Sequence, residues 1–166
     1  MRGLAAVEGT IATTAIAEDL QLVVFRLANE EYGLSITKVQ EINRLTPITK
    51  LPQTPVFMEG IINLRGRIIP VIDLRKRFGL AVEEYTEDTR IIVVEFNGQT
   101  VGIIVDGVTE VVRLAASSIE PPPNNSVLDA RYIQGVGKMN NRLLILLDAD
   151  QIFTSQEELD LRQTNG

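Results

Sequence analysis

The chain has 166 residues, with no histidine and no cysteine, and its 22 acidic against 16 basic side chains give a net charge of −6 and a pI near 4.8. Without His or Cys there is no Ser-His-Asp or Cys-His nucleophile, no thiolate zinc site, no HExxH helix and no phospho-accepting histidine. The acidic balance repels a phosphate backbone, whose binding is built from Lys and Arg contacts, so no nucleic-acid partner is expected.

In chain order, residues 1–19 are rich in Ala and Thr, but Glu8, Glu18 and Asp19 interrupt any apolar stretch. No signal peptide is expected there, only a mobile tail. Val23, Phe25 and Leu27 share one strand face, and Tyr32, Leu34 and Ile36 alternate with Gly33 and Ser35 on the next. Ala28-Asn29-Glu30 between them predicts a hairpin. Thr54 as N-cap, Pro55 at the first helical position and Gly60 past the end predict a short helix. Ile61–Leu64, Arg65-Gly66 and Arg67–Ile72 read as strand, tight turn and strand. Asp73 caps a predicted helix over Leu74–Phe78, with Arg75, Lys76 and Arg77 towards its negative end and Gly79 as the stop. Arg90–Phe96, Asn97-Gly98 and Gln99–Val105 predict a second hairpin, because Asn-Gly tolerates the positive φ angles of a type I′ turn. Leu143–Leu147 reads as a fully buried strand. Asp148 repeats the capping role ahead of Gln151, Ile152 and Phe153, and Gln156–Arg162 is expected as a polar helix with Ser155 and Glu158 at capping-box spacing. The apolar runs are about five residues long against the roughly 20 of a spanning helix, so no membrane insertion is expected.

The second half of the chain repeats the first. Tyr32–Ile42 reappears 69 positions later as Val101–Val111, with Gly33, Val39 and Glu41 matched by Gly102, Val108 and Glu110. Phe57, Gly60, Arg67, Asp73 and Phe78 recur at an offset of 75 as Tyr132, Gly135, Arg142, Asp148 and Phe153, the extra residues falling in a Pro- and Asn-rich loop between Pro121 and Tyr132. A long period occurring twice predicts two similar small domains, not a solenoid. The fold class is therefore all-β, mainly strands with short helices, built as two similar β subdomains packed together at about 20–80 and 88–153. Exchange of strands between the halves is left open. Each half, at about 65–75 residues, would be marginal alone, so a third apolar cluster is expected where they meet.

Several ordered motifs carry a family resemblance over about residues 20–153. Glu31-Tyr32-Gly33, Lys38-Val39-Gln40-Glu41-Ile42, the run Gly60–Arg75 with Asn63-Leu64-Arg65-Gly66 at its centre, and Val105-Asp106-Gly107-Val108 together resemble the CheW-like family of chemotaxis coupling proteins. The resemblance implies two five-stranded β-barrels and a non-enzymatic, cytoplasmic adaptor, recruited to membrane-associated receptor arrays. Its implied partners are the cytoplasmic tip of methyl-accepting chemoreceptors and the regulatory domain of the histidine kinase CheA, and it implies no cofactor and no metal. It carries a receptor-binding role onto Val39, Glu41, Ile42, Asn63, Arg65, Gly66 and Val108; the kinase contacts it does not place. An alternative is a CheW-like paralogue scaffolding another receptor–kinase pathway, such as surface motility.

On the residues alone, plainer readings stand beside these. Arg65 reads as a solvated turn residue, Glu41 as a surface charge, Asp106-Gly107 as a turn, and Val39, Ile42 and Val108 as ordinary core. Asp73 and Asp148 read as helix caps, which leaves paired-carboxylate catalysis without an obvious pair.

Overall fold

The computed structural model describes residues 19–122 and 132–152. The tail before Asp19, most of the Pro- and Asn-rich loop and the C-terminal helix expected at 156–162 lie outside the described residues. Among the described residues eleven strands run in chain order: β1 (Asp19–Leu27), β2 (Glu30–Ser35), β3 (Val39–Arg44), β4 (Met58–Leu64), β5 (Arg67–Asp73), β6 (Arg90–Phe96), β7 (Gln99–Val105), β8 (Gly107–Ala115), β9 (Ile119–Glu120), β10 (Ile133–Met139) and β11 (Arg142–Leu147). One short helix, α1 (Leu74–Arg77), follows β5, and single 3-10 turns occupy Ile36–Lys38, Ala116–Ser118 and Ala149–Gln151. Among the described residues no helix is long and apolar enough to cross a membrane.

The all-β class expected from the sequence holds, in two sheets. One has five strands in the order β3-β6-β7-β5-β4, the other six in the order β9-β10-β11-β2-β1-β8. The sheets cut across the two repeats, because the hairpin β1–β2 joins the strands that follow residue 106 and the hairpin β6–β7 joins β3, β4 and β5. The five-stranded sheet is thus one continuous stretch of chain, inserted between the two parts of the other. Registers match across the repeat: Ile42 faces Ile92 as Val111 faces Val23, both exchanged by the offset of 69. Each sheet also holds one parallel pair, Val71 opposite Gly102 and Leu146 opposite Gly33. Those glycines ease the close approach, since a Cβ on Gly102 would lie 3.4 Å from Val71 Cγ2 and 2.9 Å from Ile91 Cγ2 on the other neighbour, and one on Gly33 3.1 Å from Leu146 Cδ2.

Three apolar clusters result. Leu22, Val24, Val112, Leu114, Leu144 and Leu146 fill the six-stranded sheet, and Ile62, Leu64, Ile69, Val71, Ile91, Val93 and Ile104 the five-stranded one. Between the sheets lies the expected third cluster, including Phe25, Leu27, Leu34, Ile72, Ile92, Phe96 and Ile103. Strand β1 explains the arrangement locally. Its Val23, Phe25 and Leu27 face the shared cluster while Leu22 and Val24 face the cluster of their own sheet, so both faces are buried.

Turn chemistry follows the sequence in most places. Asn97 and Gly98 have φ of 48° and 80°, Arg65 and Gly66 of 53° and 87°. The Asp73 carboxylate accepts from the backbone N–H of Arg75 at 2.9 Å, and Gly79 sits at φ 72° beyond α1. Two expectations fail. No helix forms after Thr54: Met58 N–H bonds to the Pro55 carbonyl to close a single turn, and Gly60 lies inside β4 at φ 150°, where a Cβ would come 2.1 Å from the Thr49 carbonyl oxygen. Gly60 marks a bulge against β5, with the strand chemistry outweighing the Pro-Gly punctuation. Nor is Leu143–Leu147 buried throughout, since Leu143 is 60% exposed on the outer face of β11.

Candidate functional site

Val39, Glu41 and Ile42 lie on β3, at one edge of the five-stranded sheet, and Asn63 lies on β4, at the other edge. Arg65 and Gly66 form the turn that leaves β4. The sheet curls far enough for the Arg65 guanidinium to donate to a Glu41 carboxylate oxygen, so one ion pair spans both edges. Asn43 Nδ2 donates to the other Glu41 oxygen at 3.0 Å. The Arg65 hydrogen bond, then that from Asn43, holds the Glu41 carboxyl below the usual carboxylate range, with the nearby Arg67 charge acting in the same direction.

Arg65 is held in place by its neighbours. Asn63 Oδ1 accepts from Gly66 N–H at 2.8 Å, a local side-chain bond that fixes the turn. The Arg65 backbone is left-handed, a region in which Asn is common and Arg is not. The equivalent turn of the repeat has Asn140 at φ 55°, the residue that such a position ordinarily selects. An arginine there, 70% exposed, signals a site that gives up local preference for a presented charge. Ile42, 38% exposed, points to the opposite face of β3 from Glu41, since Ile42 pairs with Ile92 of the shared cluster and Glu41 with Val93 of the sheet's own cluster, while Val39 packs partly buried against the shared cluster. Val108 is in the other sheet, on β8 opposite Phe25, partly buried against the same cluster. Six of the seven residues expected at the site therefore belong to the curled sheet, and Val108 does not.

The sequence missed one anchor. Asp106, read as a turn residue, accepts from Arg75 Nε at 2.9 Å and Nη2 at 2.6 Å and from Ala28 N–H at 2.8 Å. Burial pushes its carboxyl up, but the bonds from Arg75 and Ala28 outweigh this and leave it lowered. It ties the crossover from β7 to β8 to α1 and to the tip of the first hairpin. The signal was present as a repeat mismatch, because its counterpart in the first half is Thr37.

The Asp73 carboxylate is fully engaged within the fold. One Asp73 oxygen accepts the capping bonds and the other accepts the Tyr85 hydroxyl at 3.0 Å. Burial, then the Asp73 charge, pushes the Tyr85 hydroxyl far up, so it stays protonated. Among the described residues no group of three or more Asp or Glu is placed to hold a metal ion. What the exposed surface offers is an arginine presented from a rigid turn, whose planar guanidinium suits a carboxylate or a row of backbone carbonyls.

Comparison with known proteins gives the same direction. The profile of the CheW-like domain family matches residues 21–157. Chemotaxis protein CheW of Klebsiella aerogenes is 43% identical over 158 residues, spanning 95% of this chain and 93% of its own. Chemotaxis protein CheW of Bacillus subtilis is 36% identical over 145 residues, spanning 87% and 93%. The crystal structure of the scaffolding protein TtCheW from Thermoanaerobacter tengcongensis aligns with a TM-score of 0.79 at 46% identity, covering 84% of this chain and 95% of that one. With the family profile over most of its length and relatives at this identity and coverage, the chain belongs to the CheW-like family.

Proposed function

We propose that this chain is a non-enzymatic adaptor of chemotaxis signalling, which joins the cytoplasmic tips of methyl-accepting chemoreceptors to the regulatory domain of the histidine kinase CheA. Its place of work is the cytoplasm, at membrane-associated receptor arrays. The receptor-facing surface is built from Val39, Glu41, Ile42, Asn63, Arg65 and Gly66, with Val108 contributing from the other sheet. One observation carries the reading: Arg65 is presented in a left-handed turn, fixed by Asn63 and aimed by Glu41 of an edge strand whose other face exposes Ile42. A helical receptor tip offers apolar ridges flanked by charges, which such a mixed surface can receive. Modest affinity suffices, because an array supplies a high effective concentration.

The test is Arg65→Glu, which reverses an exposed charge without opening a cavity. Receptor-dependent kinase activation is expected to vanish in a reconstituted receptor, adaptor and kinase mixture, with the far-UV spectrum kept and the melting temperature lowered only modestly by loss of the exposed Glu41 pair. Normal activation by the variant removes Arg65 from the site. Co-purification with CheA and a receptor cytoplasmic fragment at once tests the adaptor role itself.

A further inference from the structure

The strand that carries the proposed site is held unusually loosely by the core. None of the six residues of β3 is fully buried, whereas the matching stretch of β8 buries Val112. Strand β3 is also an edge strand, paired only to β6, and a register shift lies between Val39 and Glu41 at its start. Beyond its ladder with β6, the Glu41–Arg65 pair and the partly buried Val39, its position depends on tethers at its ends.

One such tether is visible. Lys38, the residue before β3, donates from Nζ to Asp150 Oδ2 at 2.9 Å, and Asn97 N–H donates to Asp150 Oδ1 at 3.2 Å. A single carboxylate thereby ties the crossover from β2 to β3, the tip of the β6–β7 hairpin and the turn after β11. The repeat shows that this is a built joint. Asp150 is the counterpart of Arg75 at the offset of 75, and Asn97 that of Ala28 at the offset of 69. At the other crossover Asp106 receives Arg75 and Ala28 N–H. Both crossovers thus use a carboxylate to hold a cation and a hairpin-tip N–H, with the charges reversed: the carboxylate comes from the crossover in one case and from the turn after the last strand in the other.

We propose that Lys38 and Asp150 are positioning residues for the partner-binding edge, clamping the start of β3 so that Glu41 meets Arg65. The inference rests on the reading of β3 as a receptor-facing strand, but its first test needs no receptor. Amide hydrogen exchange is measured strand by strand by NMR on the full chain. In Lys38→Met the β3 amides are expected to exchange about tenfold faster or more, with the inner amides of β6 and β7 unchanged, as for a local opening. Adding Thr37→Asp and Asp150→Arg to that variant transplants the polarity of the other crossover, since Thr37 is the counterpart of Asp106. Protection of β3 is expected to return. Unchanged β3 exchange in Lys38→Met overturns the proposal, as does equal acceleration of β6 and β7, which would mark general loosening. Failure of the transplant to restore β3 overturns the equivalence of the two joints.

A second arm reads binding of a chemoreceptor cytoplasmic fragment. Lys38→Met is expected to weaken it about tenfold at unchanged melting temperature, and the transplant to recover it. Parent-like binding by Lys38→Met despite faster β3 exchange overturns the positioning role. Parent-like binding by Arg65→Glu removes the proposed receptor site instead, and leaves the exchange result standing as a property of the fold.

Discussion

At the rim of the five-stranded sheet Glu41 is held by Arg65, with Arg67 near enough to lower its carboxyl; at the rim of the six-stranded sheet Arg142 is shared by Glu31 and Glu110. The positions correspond through the repeat. Glu41 matches Glu110, Arg67 matches Arg142, Thr100 matches Glu31 and Arg65 matches Asn140. Two differences therefore reverse the local balance. Two arginines around one carboxylate leave a net positive rim, with Arg67 turned to the Thr100 hydroxyl at 3.2 Å. One arginine between two carboxylates leaves a net negative one, in which Arg142 is bidentate to Glu31 at 2.9 and 2.8 Å. The comparison teaches that duplication conserved the skeleton while the charges diverged, which gives the two ends of the molecule different partners to attract.

That comparison can be broken first in the cores, where the two sheets should behave alike. Ile69 and Leu144 are counterparts at 1% and 0% exposure, and Ile69→Ala and Leu144→Ala are each expected to cost about 2–5 kcal/mol in urea unfolding. A cost near zero on one side only would show that one sheet is loosely packed. Next come the rims. Arg142→Met leaves Glu31 and Glu110 beside each other without their shared cation, so its melting temperature should fall further than that of Arg65→Met, which frees one carboxylate. The reverse order in calorimetry would make Arg65 the structural arginine.

A smaller effect concerns acid. Because the Asp106 carboxyl is lowered in the fold, its contribution is present above the ordinary carboxylate pKa of about 4 and is lost as pH falls through the lower folded value. Asp106→Asn should lower stability at neutral pH and flatten its decline below about pH 4. An acid limb of unchanged steepness in a urea and pH series would show that the Arg75 bond contributes nothing. The smallest change is expected for Arg65→Asn, which installs the residue of the equivalent turn. Its urea midpoint should match the parent while receptor coupling is lost, and a clear drop in the midpoint would assign Arg65 to the fold.

Local chemistry made much of this readable in advance. Asn97-Gly98, the Asp73 cap and the Gly79 stop are each decided by a few neighbouring residues, and the repeat was visible as matched letters. The parallel pairings of β5 with β7 and β2 with β11 were not legible, because register between distant strands is set by glycines that matter only once the sheets assemble. Thr54-Pro55 misled for a related reason: the bulge at Gly60 is demanded by the Thr49 carbonyl, eleven residues away and silent in any local window. Leu143 was misjudged because an apolar run does not say which face meets solvent. At the site, Arg65 and Glu41 could be named but not joined, since only the curl of the sheet brings opposite edges together. Asp106 looked like a turn and is an anchor whose partners come from residues 28 and 75.

The insertion of one sheet inside the other bears on how the molecule is made. A ribosome that has released residues up to Val105 has delivered every strand of the five-stranded sheet, whereas the opening hairpin must wait for β8 and β11 before its own sheet exists. During that interval the apolar faces of Leu22 and Val24 have no final neighbours, and closing contacts across more than a hundred residues is the slow kind of folding. Truncation within the last third of the gene should therefore yield a product that is half assembled and prone to aggregate, with its earliest residues the ones left stranded.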